Sequence, residues 1–348
     1  MVITNVSQET TTIEKALNAA RERIQVTREE LDEARRRRGL LEATLEREFG
    51  GRTYVNGSIA HGDALNPLTD VDLGIVIPDP DGQYGPNGEG PARFQDRAAR
   101  AIRRDLGDEF PNLRVEHLAR RRSVLVKFGD PVTVGQEDFT SDVITAIDNP
   151  DGEGLYIPDF DGWDRSHPER HTAMVRDANR LSEATFARGV RLMKHWNRRH
   201  DFPVCSWNIK ALALEWTSGP MTMAAFIDTW LHHAVNELST QDTPDPAGVA
   251  APIQTNRDRR DVVGELDEAR LQFGRALQYE RDGDDLLALN ELAVFFEDDD
   301  MMPWPDQAAV REAMTAREVR LFRGNALKRS EASTTPIAAR IDTRSWSC

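Results

Sequence analysis

Two aspartates inside one apolar run constrain this sequence more than any other feature. The run reads TDVDLGIVIPD, and it follows TYVNGSIAHGDALNPL, in which a strand-like stretch ends at a Gly-Ser turn. Residues two apart in a strand point to the same face, so Asp70 and Asp72 project together while the residues between them point into a core. Gly74 continues the acidic face without a side chain. The pattern predicts a strand with open space beside its carboxylates, and that space could hold metal ions.

The turn at Gly57 and Ser58 adds a second element to this predicted site. Hard divalent cations such as Mg²⁺ bind one or two carboxylates together with substrate phosphates and water. Glycine lets backbone N–H groups approach a phosphate closely, and the serine hydroxyl can donate to a phosphate oxygen. A Gly-Ser pair alone is usually only a turn, and Asp-x-Asp is often a solvated strand face. In this order and separation, however, the two features favour a cradle for a metal-bound polyphosphate.

A third acid is available in the stretch DFTSDVITAI. Asp142 lies among apolar residues of a predicted strand, whereas Asp138 and Asp148 lie at its margins, where loop and capping residues are common. A two-metal site commonly needs another acid, so Asp142 is the predicted third carboxylate. The alternative is an aspartate that faces water from an edge strand.

Length and charge limit the class of protein. The chain has 348 residues, more than one core usually accommodates, so we expect two lobes. The formal net charge of −15 argues against a protein that grips a long nucleic acid through its phosphates. Three arginine clusters, at 35–38, 120–122 and 257–260, could still form a local basic stripe. The sequence contains neither a long apolar run nor a secretory leader, and it has only two cysteines, so we expect a cytoplasmic protein without a membrane segment.

The chain divides into four predicted regions. Residues 1–50 form one long amphipathic helix that packs on both lobes, and residues 51–165 form a small mixed sheet backed by helices. Residues 166–330 are helical almost throughout, and residues 331–348 are a flexible polar tail. The fold class is therefore α+β, with the predicted site in the cleft between a sheet lobe and a helical lobe.

These motifs and several later segments resemble a known family, the cGAS/DncV-like nucleotidyltransferases (CD-NTases), which are relatives of the oligoadenylate synthases in the polymerase-beta-like superfamily. The resemblance extends from about Tyr54 to Asn290. The GS and DVD motifs are shared by the whole superfamily. More specific are the later segments, which read SDVITAI, GLYIPDFDGWDRSHPERH, RLMKHWN, CSWNIKALALEW and PDPAGV.

The resemblance implies a polymerase-beta-like catalytic core, a helical lobe, and a role for each matching residue. The metal-binding acids would be Asp70, Asp72 and Asp142. The phosphate-binding residues would be Gly57 and Ser58 in the turn, with Lys194 and Ser206 contacting the triphosphate from the helical lobe. The implied cofactor is a pair of Mg²⁺ ions, which Mn²⁺ could replace. The implied substrates are NTPs, joined into a cyclic di- or oligonucleotide that reaches a downstream effector, in bacteria as part of antiphage defence.

The sequence is also compatible with three other functions. The same metal site could serve an RNA 3′-end nucleotidyltransferase, for which a basic face near the acids is expected. It could also serve a small-molecule adenylyltransferase, since an acidic cleft suits a cationic substrate. A scaffold that binds nucleotides without turnover would not require all three acids. The family's animal DNA sensor carries a zinc-binding insertion for which this chain lacks the cysteines, so direct activation by DNA is not expected.

Overall fold

The computed structural model describes residues 11–79, 81–118, 120–133, 135–150, 152–160 and 162–333, with side chains up to residue 323. Within them, seven strands form one mixed sheet in the order β1-β2-β5-β4-β3, and a β6–β7 hairpin pairs with β5. Only β2 and β5 run parallel; the other pairs are antiparallel. The strands are β1 (Arg52–Asn56), β2 (Asp70–Ile77), β3 (Arg114–Glu116), β4 (Ser123–Lys127), β5 (Thr140–Asp148), β6 (Leu155–Asp159) and β7 (Gly162–Ser166).

Most of the helices follow the sheet in the sequence and build a second lobe. Their core contains the buried rings of Trp196, Trp230 and Phe226. The helices are α1 (Thr12–Arg23), α2 (Arg28–Phe49), α3 (Gly57–His61), α4 (Pro91–Leu106), α5 (Pro168–Leu181), α6 (Thr185–Arg199), α7 (Ser206–Leu214), α8 (Met223–Thr240), α9 (Arg259–Arg281), α10 (Asp285–Phe296) and α11 (Gln307–Ser333). The predicted α+β fold, with a sheet lobe and a helical lobe, is confirmed. No helix among the described residues is long and apolar enough to cross a bilayer.

The prediction of a single long helix over residues 1–50 is wrong. Helix α1 ends at Arg23, and α2 begins at Arg28 behind a capping box in which Thr27 and Glu30 satisfy each other's backbone N–H groups. Between the helices, Gln25 forms an isolated β-bridge with Leu65. A single amphipathic period cannot reveal this break, since helical residues stand on both sides of it.

The two N-terminal helices belong to different cores. The apolar face of α1 packs into the helical lobe, whereas that of α2 packs with α4 against one face of the sheet. The opposite face of the sheet has a small apolar cluster around Tyr54, Val76 and Ala146. The acids Asp70 and Asp72 lie on this second face, so the sheet's larger core supports them from behind. From the predicted tail at 331–348, residues 331–333 continue α11, and the remainder lies outside the described residues.

Candidate active site

The three predicted acids lie on neighbouring strands and on one side of the sheet. Asp70 and Asp72 stand on β2, and the parallel register places Asp142 of β5 directly beside Asp72. Residues aligned in neighbouring strands project their side chains to the same face. Asp70 and Asp72 line the cleft between the two lobes, which has a volume of about 1510 Å³. The sheet thus assembles the carboxylates from two separate parts of the chain.

The third carboxylate is already engaged. Asp142 Oδ1 accepts a hydrogen bond from Arg120 (3.1 Å) and another from the Ser123 hydroxyl (2.5 Å). In the described residues, no three His, Cys, Asp or Glu side chains converge on one ion position. The donor set that fits a hard divalent cation is therefore the pair Asp70 and Asp72, completed by phosphate and water oxygens. Both hydrogen bonds are to Oδ1 of Asp142, and Oδ2 has no hydrogen-bond partner among the described residues.

The acids of the cleft repel one another, and burial strengthens this repulsion. Burial, followed by the charges of Asp70 and Asp142, raises the pKa of Asp72 to about 7. Burial also raises the pKa of Asp70, and the Asp142 charge adds to this, while Lys194 opposes it. Like charges held together out of water favour protonation of one member of the set. A divalent cation relieves the same repulsion without a proton.

The Gly-Ser turn lies against one of these carboxylates. Strand β1 ends at Asn56, opposite Asp72, and the chain turns at once into the short helix α3. Gly57 has φ +75°, and a Cβ atom at this position would lie 2.2 Å from Asp72 Oδ2. Only glycine combines this backbone conformation with so close an approach. Gly57 and Ser58 line the cleft beside the acids, so a polyphosphate on the turn would lie next to the carboxylates of Asp70 and Asp72.

The expectation of open space beside Gly74 is wrong. Tyr54 pairs with Gly74 across β1 and β2, and its buried ring fills the position where a Gly74 side chain would project. A Cβ on Gly74 would lie only 2.1 Å from the Tyr54 ring. An aromatic ring over a cross-strand glycine stabilises the sheet at that point. The open part of the cleft beside Asp72 therefore lies on its other side, toward Asp70 and the Gly57 turn.

A buried charge cluster joins the helical lobe to the sheet lobe. Lys194 of α6 lies 2.9 Å from Asp63 Oδ1, and Lys210 of α7 lies 3.0 Å from Asp63 Oδ2. Asp63 is fully buried, and the two lysines are nearly so. Burial alone would raise the pKa of Asp63, but the two ammonium groups lower it to about 2. Lys194 does line the cleft, yet its charge is shared with a carboxylate that the sequence did not reveal.

A histidine extends this cluster. His61 Nδ1 lies 2.9 Å from Lys210 Nζ, and His61 Nε2 lies 3.2 Å from the Thr172 hydroxyl. Burial, followed by the Lys210 charge, lowers the pKa of His61 to about 3, so the ring is neutral and its Nδ1 accepts a hydrogen bond from Lys210. Sequence reasoning missed Lys210 and Asp63. The available signal was the spacing of Lys210 four residues after Ser206, which places both residues on one helix face.

Helix α7 presents the last predicted site residue. Ser206 is the first residue of α7 and is exposed in the cleft. Beside it, Trp207 packs on the His171 ring with a centroid separation of 4.6 Å. His171 in turn bonds to Asp245 (2.6 Å), whose other oxygen accepts from the backbone N–H groups of residues 249 and 250. This chain of contacts fixes the PDPAGV segment as one wall of the cleft.

The arginine cluster at 120–122 does not form a free basic stripe. Arg120 bonds to Asp142, Arg121 pairs with Asp159, and Arg122 lies 2.9 Å from Asp164. The two last acids belong to the β6–β7 hairpin. Paired guanidinium groups contribute little net charge to the rim of the cleft.

Comparisons with known proteins agree with this geometry at the level of the fold. No protein-family model and no curated protein sequence matches the chain. Among solved structures, CdnC of E. coli MS115-1 with ATP is similar, with a TM-score of 0.61 and 17% identity over 82% of this chain and 98% of that chain. The CD-NTase CdnG of Bradyrhizobium diazoefficiens in complex with GTP has a TM-score of 0.57 and 14% identity over 81% and 99% of the two chains.

The chain has the CD-NTase fold. A third similar structure is the CdnE cyclic dinucleotide synthase of Elizabethkingia meningoseptica with GTP and Apcpp, with a TM-score of 0.54 and 17% identity over 73% of this chain and 96% of that chain. The fold implied by the GS, DVD and later motifs is thereby confirmed. Since the identities are low, the likeness concerns the arrangement of the elements, and the residue roles depend on the site geometry.

Proposed function

We propose that this protein is a divalent-metal-dependent nucleotidyltransferase that joins NTPs into a cyclic di- or oligonucleotide. The observation that carries the proposal is the contact between the Gly57 turn and Asp72. It brings a phosphate-binding turn and a metal-binding carboxylate pair to one point of the cleft. Positioning and charge neutralisation at such a point are what phosphoryl transfer chiefly requires.

The proposed roles follow from the contacts of each residue. Asp70 and Asp72 would hold two Mg²⁺ ions, and Asp142, which lies beside Asp72 on the neighbouring strand, would provide a third carboxylate. Bound Mg²⁺ ions activate an attacking hydroxyl and neutralise the leaving pyrophosphate. The backbone at Gly57 and the Ser58 hydroxyl orient the phosphates from the sheet lobe. Lys194 and Ser206 approach them from the helical lobe.

The size of the cleft supports a reaction between two nucleotides. Sites for one small ligand usually have volumes of about 300 to 1000 Å³. The cleft here, at about 1510 Å³, exceeds that range, which supports the proposal that it holds a donor NTP and an acceptor nucleotide at the same time. The similarity to a cyclic dinucleotide synthase favours a nucleotide acceptor as well. A nucleotide messenger made in the cytoplasm, which reaches a separate effector in antiphage defence, is the corresponding biological role.

The decisive experiment is mass spectrometry of the product after incubation with NTPs and Mg²⁺, with and without RNA. A phosphatase-resistant cyclic product formed without RNA is the expected result. Extended RNA would indicate the RNA 3′-end enzyme instead, which the paired arginines at the rim disfavour. Transfer to a small cationic acceptor would indicate an adenylyltransferase, and NTP binding without turnover would indicate a scaffold.

The matching variant is the double substitution Asp70→Asn with Asp72→Asn. It should abolish product formation and leave the far-UV circular dichroism spectrum unchanged, since both side chains face the cleft. Asp177→Asn, on the exposed face of α5, is the control and should keep full activity. Full activity of the double variant would refute the assignment of the metal site.

A further inference from the structure

Most of the cationic side chains that face the cleft already have a carboxylate partner. Lys194 and Lys210 share the buried carboxylate of Asp63. On the sheet side, Arg121 and Arg122 pair with acids of the β6–β7 hairpin. A triphosphate that enters this cleft meets these cations only in competition with their present partners. In a protein with a net charge of −15, a cation inside the cleft that has no acidic partner points to an anionic ligand.

Arg198 is such a cation. It is half-buried on α6, lines the cleft, and forms no hydrogen bond or ion pair through its side chain in the part of the chain that the structure describes. Arg165 also lines the cleft without a carboxylate partner, but it is exposed on β7 and donates to the Glu153 carbonyl oxygen (3.2 Å). Withdrawing a guanidinium group partly from water without a partner is unfavourable, and an anionic ligand would offset this cost.

The position of Arg198 on α6 indicates which part of a nucleotide it meets. It follows Lys194 by four residues, so the two side chains project from one face of the helix about 6 Å apart along its axis. Lys194 pairs with Asp63, whose backbone N–H donates to the Ser58 carbonyl oxygen (3.1 Å), so the Lys194 end of this face lies beside the Gly-Ser turn. Arg198 therefore lies one turn further along the cleft wall. Arginine presents a planar fork of donors that binds phosphate oxygens in pairs.

We propose that Arg198 binds the terminal phosphate of the donor NTP, one helical turn beyond Lys194 on the same face of α6. This inference rests on the proposed function, because it requires an NTP whose α-phosphate lies at the acids. In this assignment Arg198 is the cation of α6 that lines the cleft without a carboxylate partner among the described residues. Arg198 then serves to distinguish triphosphates from monophosphates.

The test measures nucleotide binding by calorimetry in Mg²⁺, with AMP and with an ATP analogue that has a methylene group between the α- and β-phosphates. Neither ligand turns over, so the measurement does not depend on catalysis. Arg198→Ala should weaken binding of the ATP analogue by about tenfold or more, since a hydrogen bond to a charged group is lost. It should leave AMP affinity unchanged within about twofold, and Arg198→Lys should recover part of the loss.

Arg188→Ala is the matched control, because Arg188 is exposed on the same helix, also lacks an ion pair among the described residues, and does not line the cleft. It should bind both ligands as the wild type does. If Arg198→Ala weakens both ligands equally or neither, the assignment of Arg198 is overturned while the proposed function stands. If the wild-type protein itself does not prefer the ATP analogue to AMP, the assignment and the proposed function are both rejected.

Discussion

Replacing Asp63 with asparagine removes the only carboxylate that Lys194 and Lys210 contact in the described residues. Both ammonium groups would remain almost completely buried beside a neutral amide. Removing one partner of a buried ion pair costs about 3 to 5 kcal/mol of stability, because an uncompensated charge stays out of water. We therefore expect the free energy of unfolding of Asp63→Asn to fall by about 3 to 5 kcal/mol at pH 7.

The lowered pKa of Asp63 gives a second, smaller value for the contribution of this carboxylate to stability. Its value in the folded protein is about 2, against an ordinary value of 3.8. Because the folded-state pKa is lowered, the corresponding stability is present above pH 4 and is lost as the pH falls toward 2. The difference is worth about 2 to 3 kcal/mol. The loss of unfolding free energy expected for Asp63→Asn is larger, because it also includes the cost of leaving two lysine charges buried without a carboxylate.

Urea unfolding followed by circular dichroism measures both effects. The wild type should lose stability between pH 4 and pH 2 more steeply than Asp63→Asn does. Adding Lys210→Met to Asp63→Asn should raise the free energy of unfolding by about 1 kcal/mol or more, because it removes a buried ammonium group that has lost its carboxylate partner. Asp177→Asn removes an exposed ion pair with Arg180 at the similar distance of 3.0 Å and should cost less than about 1 kcal/mol. A loss for Asp63→Asn as small as that of this control would refute the buried cluster.

Two further predictions concern the turn and the acids. Gly57→Ala should reduce turnover by about 100-fold or more, because the added methyl group would collide with Asp72. Gly62 has the same φ of +75°, but the nearest atom to an added Cβ is 3.9 Å away, so Gly62→Ala should reduce turnover far less. Steady-state assays of both variants measure this difference. Because the pKa of Asp72 is raised to about 7, protons compete with Mg²⁺ for its carboxylate near neutral pH. Mg²⁺ should therefore raise the melting temperature of the protein more at pH 8 than at pH 6. Equal shifts of the melting temperature at the two pH values would contradict this pKa.

Local pattern was sufficient for a large part of the fold. The alternation in DVDLGIVI predicts β2 and its same-face acids, and the apolar run around Asp142 predicts β5, because side-chain direction in a strand depends only on the parity of the sequence. The β6–β7 hairpin escaped prediction as strands, although its acids pair with the arginines of the rim. Strands of five residues that contain proline or glycine carry a weak pattern.

Short-range sequence pattern is enough to predict the strand with its paired aspartates, the Gly-Ser turn before it and the helical character of the second half, since each depends on residues close together in the chain. The contacts of these groups could be seen only in the folded chain: Asp63 pairs with a lysine 131 residues away, Arg120 bonds to the third acid, and the Tyr54 ring fills the space beside Gly74. These contacts depend on which elements pack together, and burial then sets the strength of each charge interaction.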